Sequence, residues 1–371
     1  MSNAVLDQPF RFKRIDLTRR RLRLSRPLVT GSATYRERSV NLLAVRIQVD
    51  RRTSLGFGEA SPLAEWGGSA DIDPASGIER IPRNTRFDGI ADLDRRLPWL
   101  DRLPILRFGL ETAVLDALAK MHEIPLRVAL GDPAGPGTDS IPVQFTLGAL
   151  DRQSSLEALG RACDSGYTHA KLKVGVGDPA VELEKILALV AIYPQLTFRL
   201  DANGAWETAT ALRMLEALPS ERVELVEQPV ADAQMDQLLH VYEGSGPLIG
   251  ADESCIDRNR IDALIRSARL GAVVVKPSVV GGLLAASNLF ALAGRYRVRV
   301  IVSNLMESAV GRSAIAHLTA AHAELPGPHG LATGDWLAED VVPDPDCIEN
   351  GRLMLRPGPG IGFEPSTRDR T

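Results

Sequence analysis

Five ionisable residues recur along the chain at nearly constant intervals: Lys173, Asp201, Glu227, Asp252 and Lys276, separated by 28, 26, 25 and 24 residues. Each interval is about the length of one strand–helix unit, and in a (β/α) barrel the ends of successive strands face one common mouth. Taken singly, Asp201 also reads as a helix cap and Glu227 as a strand-end surface residue; five in consecutive units are hard to obtain by chance. Three carboxylates at one level repel unless cations compensate them. Oxygen-only donors point to a hard cation, Mg2+ first with Mn2+ as a substitute, water and substrate oxygens completing the octahedron.

The lysines have a complementary use. In "AKLKVG", Ala170 to Gly175, Lys171 and Lys173 are two residues apart, which on a strand places both on one face, about 7 Å apart. Like charge and partial desolvation both favour the neutral amine, so the pair predicts a lysine that accepts a proton near neutral pH. Lys276, four strands further on, faces it across the mouth. A substrate carboxylate held on the metal would have its α-carbon between two amines, and removal of its α-proton would leave an enediolate that the metal stabilises.

Such a site needs a barrel. From Ile141 onward the β-branched runs "IPVQFTLG", "HAKLKVG", "LTFRLDANG", "VELVEQP", "PLIGADES", "AVVVKPS", "VRVIVSNL" and "HGLATG" alternate with amphipathic segments such as "PAVELEKILALVAIY" and "RNRIDALIRSARL". Eight strands alternating with helices predict a closed parallel barrel, its first strand starting at Ile141. The front of the chain differs: "VNLLAVRIQVD" and "LGFGEASP" read as an antiparallel sheet, "LRFGLETAVLDALAKMH" as a strong helix, and "GDPAGPGTDS" as a linker. The expected division is an α+β capping domain at 1–138, completed by 340–371, and a barrel at 139–339. The tail "NGRLMLRPGPGIGF" reads as a closing strand.

Composition excludes several classes. With 43 Lys and Arg against 47 Asp and Glu the net charge is −4, so no global field draws the chain to nucleic acid. The basic run "RFKRIDLTRRRLRLSRP" interleaves Leu17, Leu22 and Leu24 with arginines and reads as a strand with one solvated face. Cys163, Cys255 and Cys347 are odd in number and widely spaced, which disfavours a disulfide framework or zinc ribbon. No apolar run approaches a membrane span and the N-terminus does not resemble a signal peptide, so a cytoplasmic protein is expected. The expected partner is a small-molecule carboxylate, with neither nucleic acid nor membrane; composition sets no oligomeric state.

"KLK", "DANGAW", "EQP", "ADES" and "VVKPS", in this order and spacing, resemble the muconate lactonizing enzyme subgroup of the enolase superfamily. The resemblance implies a TIM-type barrel, in its (β/α)7β form, with an α+β cap. "LRFGLETAVLDAL", "SNLMESAVG" and "GLATGDWLAEDVV" are most similar to the o-succinylbenzoate synthases of that subgroup. It implies Lys173 as the base, which once protonated assists departure of a hydroxyl in a syn elimination. Lys276 would stabilise the enediolate as a cation, Lys171 would tune Lys173, and Asp201, Glu227 and Asp252 would bind Mg2+. The implied reaction converts 2-succinyl-6-hydroxy-2,4-cyclohexadiene-1-carboxylate to 2-succinylbenzoate in menaquinone biosynthesis.

Position at strand ends makes Ser303, Asn304 and Gly334 candidates for binding the succinyl carboxylate, and "VTGSATYRERSV" and "EASPLAEWGG", with Trp66, candidates for a lid. Two alternatives use the same residues: N-succinylamino acid racemase and dipeptide epimerase, the latter disfavoured because the eighth strand carries "ATG" where epimerases carry Asp-x-Asp. A remoter one is a Schiff-base aldolase on Lys276, which would leave three carboxylates without a task.

Overall fold

The computed structural model describes residues 4–29, 34–63, 66, 73–131, 138–149, 152–242, 244, 246–343 and 347–366. Alternation of apolar and basic residues makes Phe10–Val29 a long strand, β1, that buries Phe10, Phe12 and Leu22 and exposes Arg11, Lys13, Arg19 and Arg21. The basic run is thus the wet face of a sheet. With β2 (Thr34–Val49), β3 (Arg52–Glu59) and β4 (Arg86–Phe87) it forms an antiparallel sheet ordered β3-β2-β1-β4.

The helix Pro104–Met121 lies on this sheet and is buried throughout Ile105–Ala119, so it carries no polar stripe. Glycine lets the two backbones touch: a Cβ on Gly58 would stand 1.9 Å from the Gly109 carbonyl oxygen. The polar residues on such a helix must be satisfied internally. Asp116 accepts from the backbone of Phe57 on β3 (2.9 Å), from that of Ile361 in the tail (2.8 Å), and from Lys120 (2.7 Å). Asp116→Ala strands all three donors, so we expect it to lower unfolding free energy by about 2–3 kcal/mol, read as a reduced denaturant midpoint.

After β5 (Ser140–Pro142) come the seven parallel barrel strands: β6 (Phe145–Ala149), β7 (His169–Lys173), β8 (Thr197–Asp201), β9 (Val223–Glu227), β10 (Leu248–Ala251), β11 (Ala272–Val275) and β12 (Arg299–Val302). They run in sequence order around the sheet, with helices between them. The eighth position is reduced to two parallel bridges, Val143 with His329 and Ser303 with Gly330, which link the first strand's approach to β12 and close the barrel.

Two expectations are corrected. The first barrel strand starts at Phe145 rather than Ile141, because Ser140–Pro142 pairs with the tail strand β14 (Arg352–Met354), itself paired with β13 (Cys347–Glu349). "HGLATG" forms bridges but no full strand. Farther along, Gly360 meets Pro125 and Ile361 meets Asp116, so the tail also touches the long cap helix. The linker residues 132–137 lie outside the described residues. Among the described residues no helix is long and apolar enough to cross a membrane, and none of the three cysteines forms a disulfide.

Candidate active site

The register of the parallel strands does the positioning. Lys173 pairs with Asp201 and Asp201 with Glu227 across β7, β8 and β9. Asp252 and Lys276 directly follow β10 and β11. Lys171, Lys173, Asp201, Asp252 and Lys276 line one cavity of about 300 Å3, together with Gln144, Thr146, Asn203, Glu253 and Ser303. The Lys171 ammonium reaches Asp201 at 2.9 Å and Glu227 at 2.6 Å; that of Lys173 reaches Asp201 at 2.8 Å; Lys276 holds Asp252.

The loops are braced by residues outside the five. Glu182 accepts from the backbone N–H groups of Gly175, Val176 and Gly177, fixing the turn that follows Lys173. Gln228, in the left-handed region at φ 40°, accepts from the backbone N–H groups of Asp252 and Ser254 and donates to Val230 and Ser254. Asn203 accepts from Lys173 at 2.5 Å and donates to Glu253 at 2.8 Å. Glu253 was not singled out from the sequence, although it is adjacent to Asp252 in "ADES"; likewise Asn203 follows Asp201 by two in "DAN".

Asp201, Glu227 and Asp252 are almost fully buried. Burial would raise Asp201, but Lys171 and Lys173 outweigh it and hold it well below the ordinary carboxylate range. Burial and the neighbouring Asp201 push Glu227 up to about 8; burial likewise raises Asp252 and Glu253. The Lys171 ammonium lies between two of these carboxylates. Burial pulls its pKa down, but Asp201, Glu227 and Asp252 together more than reverse this, and it stays a cation.

Asp201, Glu227, Asp252 and Glu253 bring four carboxyl groups together with three lysines in a buried site, and the upward shifts of Glu227, Asp252 and Glu253 mark acidic groups crowded beyond what those lysines compensate. An all-oxygen donor set crowded in this way fits a hard divalent cation. Among the described residues no group of three His, Cys, Asp or Glu side chains is gathered around one point; the Lys171 ammonium sits between Asp201 and Glu227, and Lys276 holds Asp252.

Ser303 and Asn304 line the cavity, but the amide of Asn304 is committed to Thr333 and to the backbone of Met306. Gly334 does not line it; Thr333 does. Gly334 borders a separate cavity of about 560 Å3, with Phe145, Tyr167, Trp336 and Ile348, which holds none of the lysines. Of the two lid segments, residues 30–33, 64, 65, 67 and 68 lie outside the described residues. Trp66 lines the cavity, with the Lys276 ammonium 3.6 Å from its ring centroid, a cation–π contact from cap to barrel.

Residues 155–370 match the family described as enolase C-terminal domain-like. Over 285 residues, 74% of this chain and 86% of the other, the sequence is 35% identical to an o-succinylbenzoate synthase of Thermobifida fusca. It is 28% identical over 257 residues to a chloromuconate cycloisomerase of Cupriavidus pinatubonensis, covering 69% of this chain and 68% of the other. The fold matches muconate lactonizing enzyme from Pseudomonas fluorescens, solved with muconolactone, at a TM-score of 0.83 and 22% identity over 96% of both chains. With its family match, its barrel and cap, and relatives among both synthases and cycloisomerases, the chain belongs to the enolase superfamily, in its muconate lactonizing enzyme subgroup.

Proposed function

We propose that the protein is an o-succinylbenzoate synthase, a hydro-lyase that dehydrates 2-succinyl-6-hydroxy-2,4-cyclohexadiene-1-carboxylate to 2-succinylbenzoate in menaquinone biosynthesis. The observation that carries the reading is the pair Lys173 and Lys276 on one cavity, each ion-paired to a buried carboxylate. The 35% identity to the Thermobifida fusca synthase supports the choice of reaction. Enolase-superfamily sites generally join a Lys or His base to one or two Mg2+ ions, a pattern of the family rather than a deduction from this geometry. Asp201, Glu227 and Asp252 are the residues that would hold Mg2+. When bound, the ion supplies positive charge against the substrate carboxylate as negative charge develops there.

Lys173, acting as its neutral amine, removes the proton α to that carboxylate, forming an N–H bond from its lone pair as the C–H electrons pass into the enediolate. The same ammonium then returns a proton to the departing hydroxyl, which leaves as water with the C–O electron pair. Lys276 remains a cation over the enediolate, with Trp66 covering it. Lys171 keeps Asp201 and Glu227 in place and adds positive charge beside Lys173. In this reading residues 1–138, with 340–371, close over a barrel formed by 139–339. The substrate is a small carboxylic acid, no nucleic acid or membrane takes part, and the enzyme works in the cytoplasm.

The test is the ultraviolet change that accompanies loss of the diene substrate in the presence of Mg2+. We expect turnover that disappears on chelation and returns when Mg2+ is restored. A folded, Mg2+-supplied protein that leaves this substrate untouched overturns the synthase reading. N-succinylamino acid racemization is then the next assay, since the same two lysines can exchange protons on both faces of one carbon.

A further inference from the structure

The cavity has two unlike halves. Its carboxylates, Asp201, Asp252 and Glu253, come from the ends of β8 and β10, flanked by the lysines of β7 and β11. Around the remaining sector, from β12 through His329–Gly330 to β6, it is lined by Ser303, Gly330, Gln144 and Thr146, and by no carboxylate among the described residues. Deeper in the barrel the asymmetry continues. Leu225, Ala272, Val274 and Ile301 form an apolar cluster, whereas Arg199 and Glu224 form an ion pair at 2.5 Å, joined by Arg299.

Arg199 decides which way Gln144 faces. Its guanidinium is almost completely buried and fixed by Glu224 and by the Pro328 carbonyl oxygen at 2.6 Å. Its Nη1 donates to Gln144 Oε1 at 2.8 Å. A guanidinium has no acceptor, so the amide oxygen must point to Arg199 and the NH2 group must point away. The backbone N–H of Gln144 is bonded to the His329 carbonyl, which fixes the other end of the residue. Gln144 lines the cavity, and its Nε2 donates to no group among the described residues. Gly330 keeps space open beside it: a Cβ there would stand 3.0 Å from Ser303 Oγ and 3.4 Å from Gln144 Nε2.

We infer that Gln144 is a substrate-binding residue, its NH2 group donating to a carbonyl or carboxylate oxygen on the part of the substrate remote from the reacting carbon, with Arg199 as the positioning residue that aims it. The inference rests on the reading of the site as one that holds a carboxylic acid at its lysine- and carboxylate-bearing half. A purely structural Gln144 would serve Arg199 alone, and the two roles separate in Gln144→Glu. That variant keeps an oxygen for Arg199 but removes the donor from the cavity.

The experiment is calorimetric titration with Mg2+ present, using 2-succinylbenzoate, an N-succinylamino acid and cis,cis-muconate as probes, and benzoate as the acid lacking a second acceptor group. We expect Gln144→Glu to weaken the tightest of the three about 10-fold or more while changing benzoate less than about 2-fold, the effect of one lost hydrogen bond to a charged or polarised acceptor. Gly330→Ala, whose methyl enters the same space, should show the same selective loss. If 2-succinylbenzoate fails to bind the unaltered protein but another probe binds and shows the selective loss, the synthase reading falls and the role of Gln144 stands. Equal weakening of benzoate, or no weakening of the best probe, overturns the role of Gln144. An unaltered protein that binds none of the three overturns both.

Discussion

Lys173→Ala is expected to lower turnover about 10^4-fold, the upper range for removal of a positioned general base, while the protein stays folded. The two halves of this expectation have separate causes. Lys173 is the most accessible of the three cavity lysines, with 27% of its side chain exposed against 12% for Lys171 and 9% for Lys276. It has acceptors in Asp201 and Asn203 and lines the cavity, so its removal exposes an ion-pair partner without opening the core. Lys171 behaves in the opposite way. It separates two buried carboxylates, so Lys171→Met is expected to destabilise the fold, and Mg2+ should restore much of that loss by binding the folded state. Comparing melting temperatures and turnover of the two variants, with and without Mg2+, checks both. Retention of more than about a tenth of the activity in Lys173→Ala removes that residue from proton transfer.

The ladder of charges is legible in the sequence because a parallel barrel turns a constant chain interval into a common height. Lys173, Asp201 and Glu227 come into direct register for that reason. What depends on groups meeting across the barrel is not legible in this way. Gln144 gains its meaning from Arg199, 55 positions away, and Arg199 from Glu224. The direction of the Lys171 shift depends on how closely three carboxylates approach it; counting only its like-charged neighbour gives the wrong sign. The start of the first barrel strand is hidden for a similar reason. "IPVQFTLG" is one β-branched run, but the tail strand captures its first residues and the barrel takes the rest. The long cap helix is plain as an apolar run, but burial on every side leaves no stripe to show what it faces.

The cap is joined to the barrel through Arg38, and Arg38→Met is expected to cost about 3–5 kcal/mol, the usual scale for removing one member of a buried charged cluster. Arg38 lies on β2, almost fully buried, and donates to the carbonyls of Ser61, Pro62 (2.7 Å) and Ser39 (3.0 Å) in the cap. It also donates to those of Leu305 and Met306, both at 3.3 Å, in the loop that follows β12 and lines the cavity. Beside it Glu59, at the end of β3, accepts from the backbone of Ser308 and Gly311 and from the Ser308 hydroxyl, capping the helix Ala309–Ala321 from the other unit. Burial, then the neighbouring Glu307, raises the Glu59 pKa above its ordinary value, and the Arg38 cation opposes that rise. A carboxyl raised on folding binds its proton more tightly in the folded state, so its stabilising contribution is full below the unfolded pKa and is lost as pH rises through the folded one. Without Arg38 the folded value moves higher still, and the loss extends further up the scale. The Arg38→Met penalty should therefore be smallest near about pH 5 and grow toward about pH 8, as read from urea midpoints at unchanged slope. A penalty that is flat across this range would show that Arg38 acts through its carbonyl contacts alone; one that shrinks would reverse the assigned coupling to Glu59.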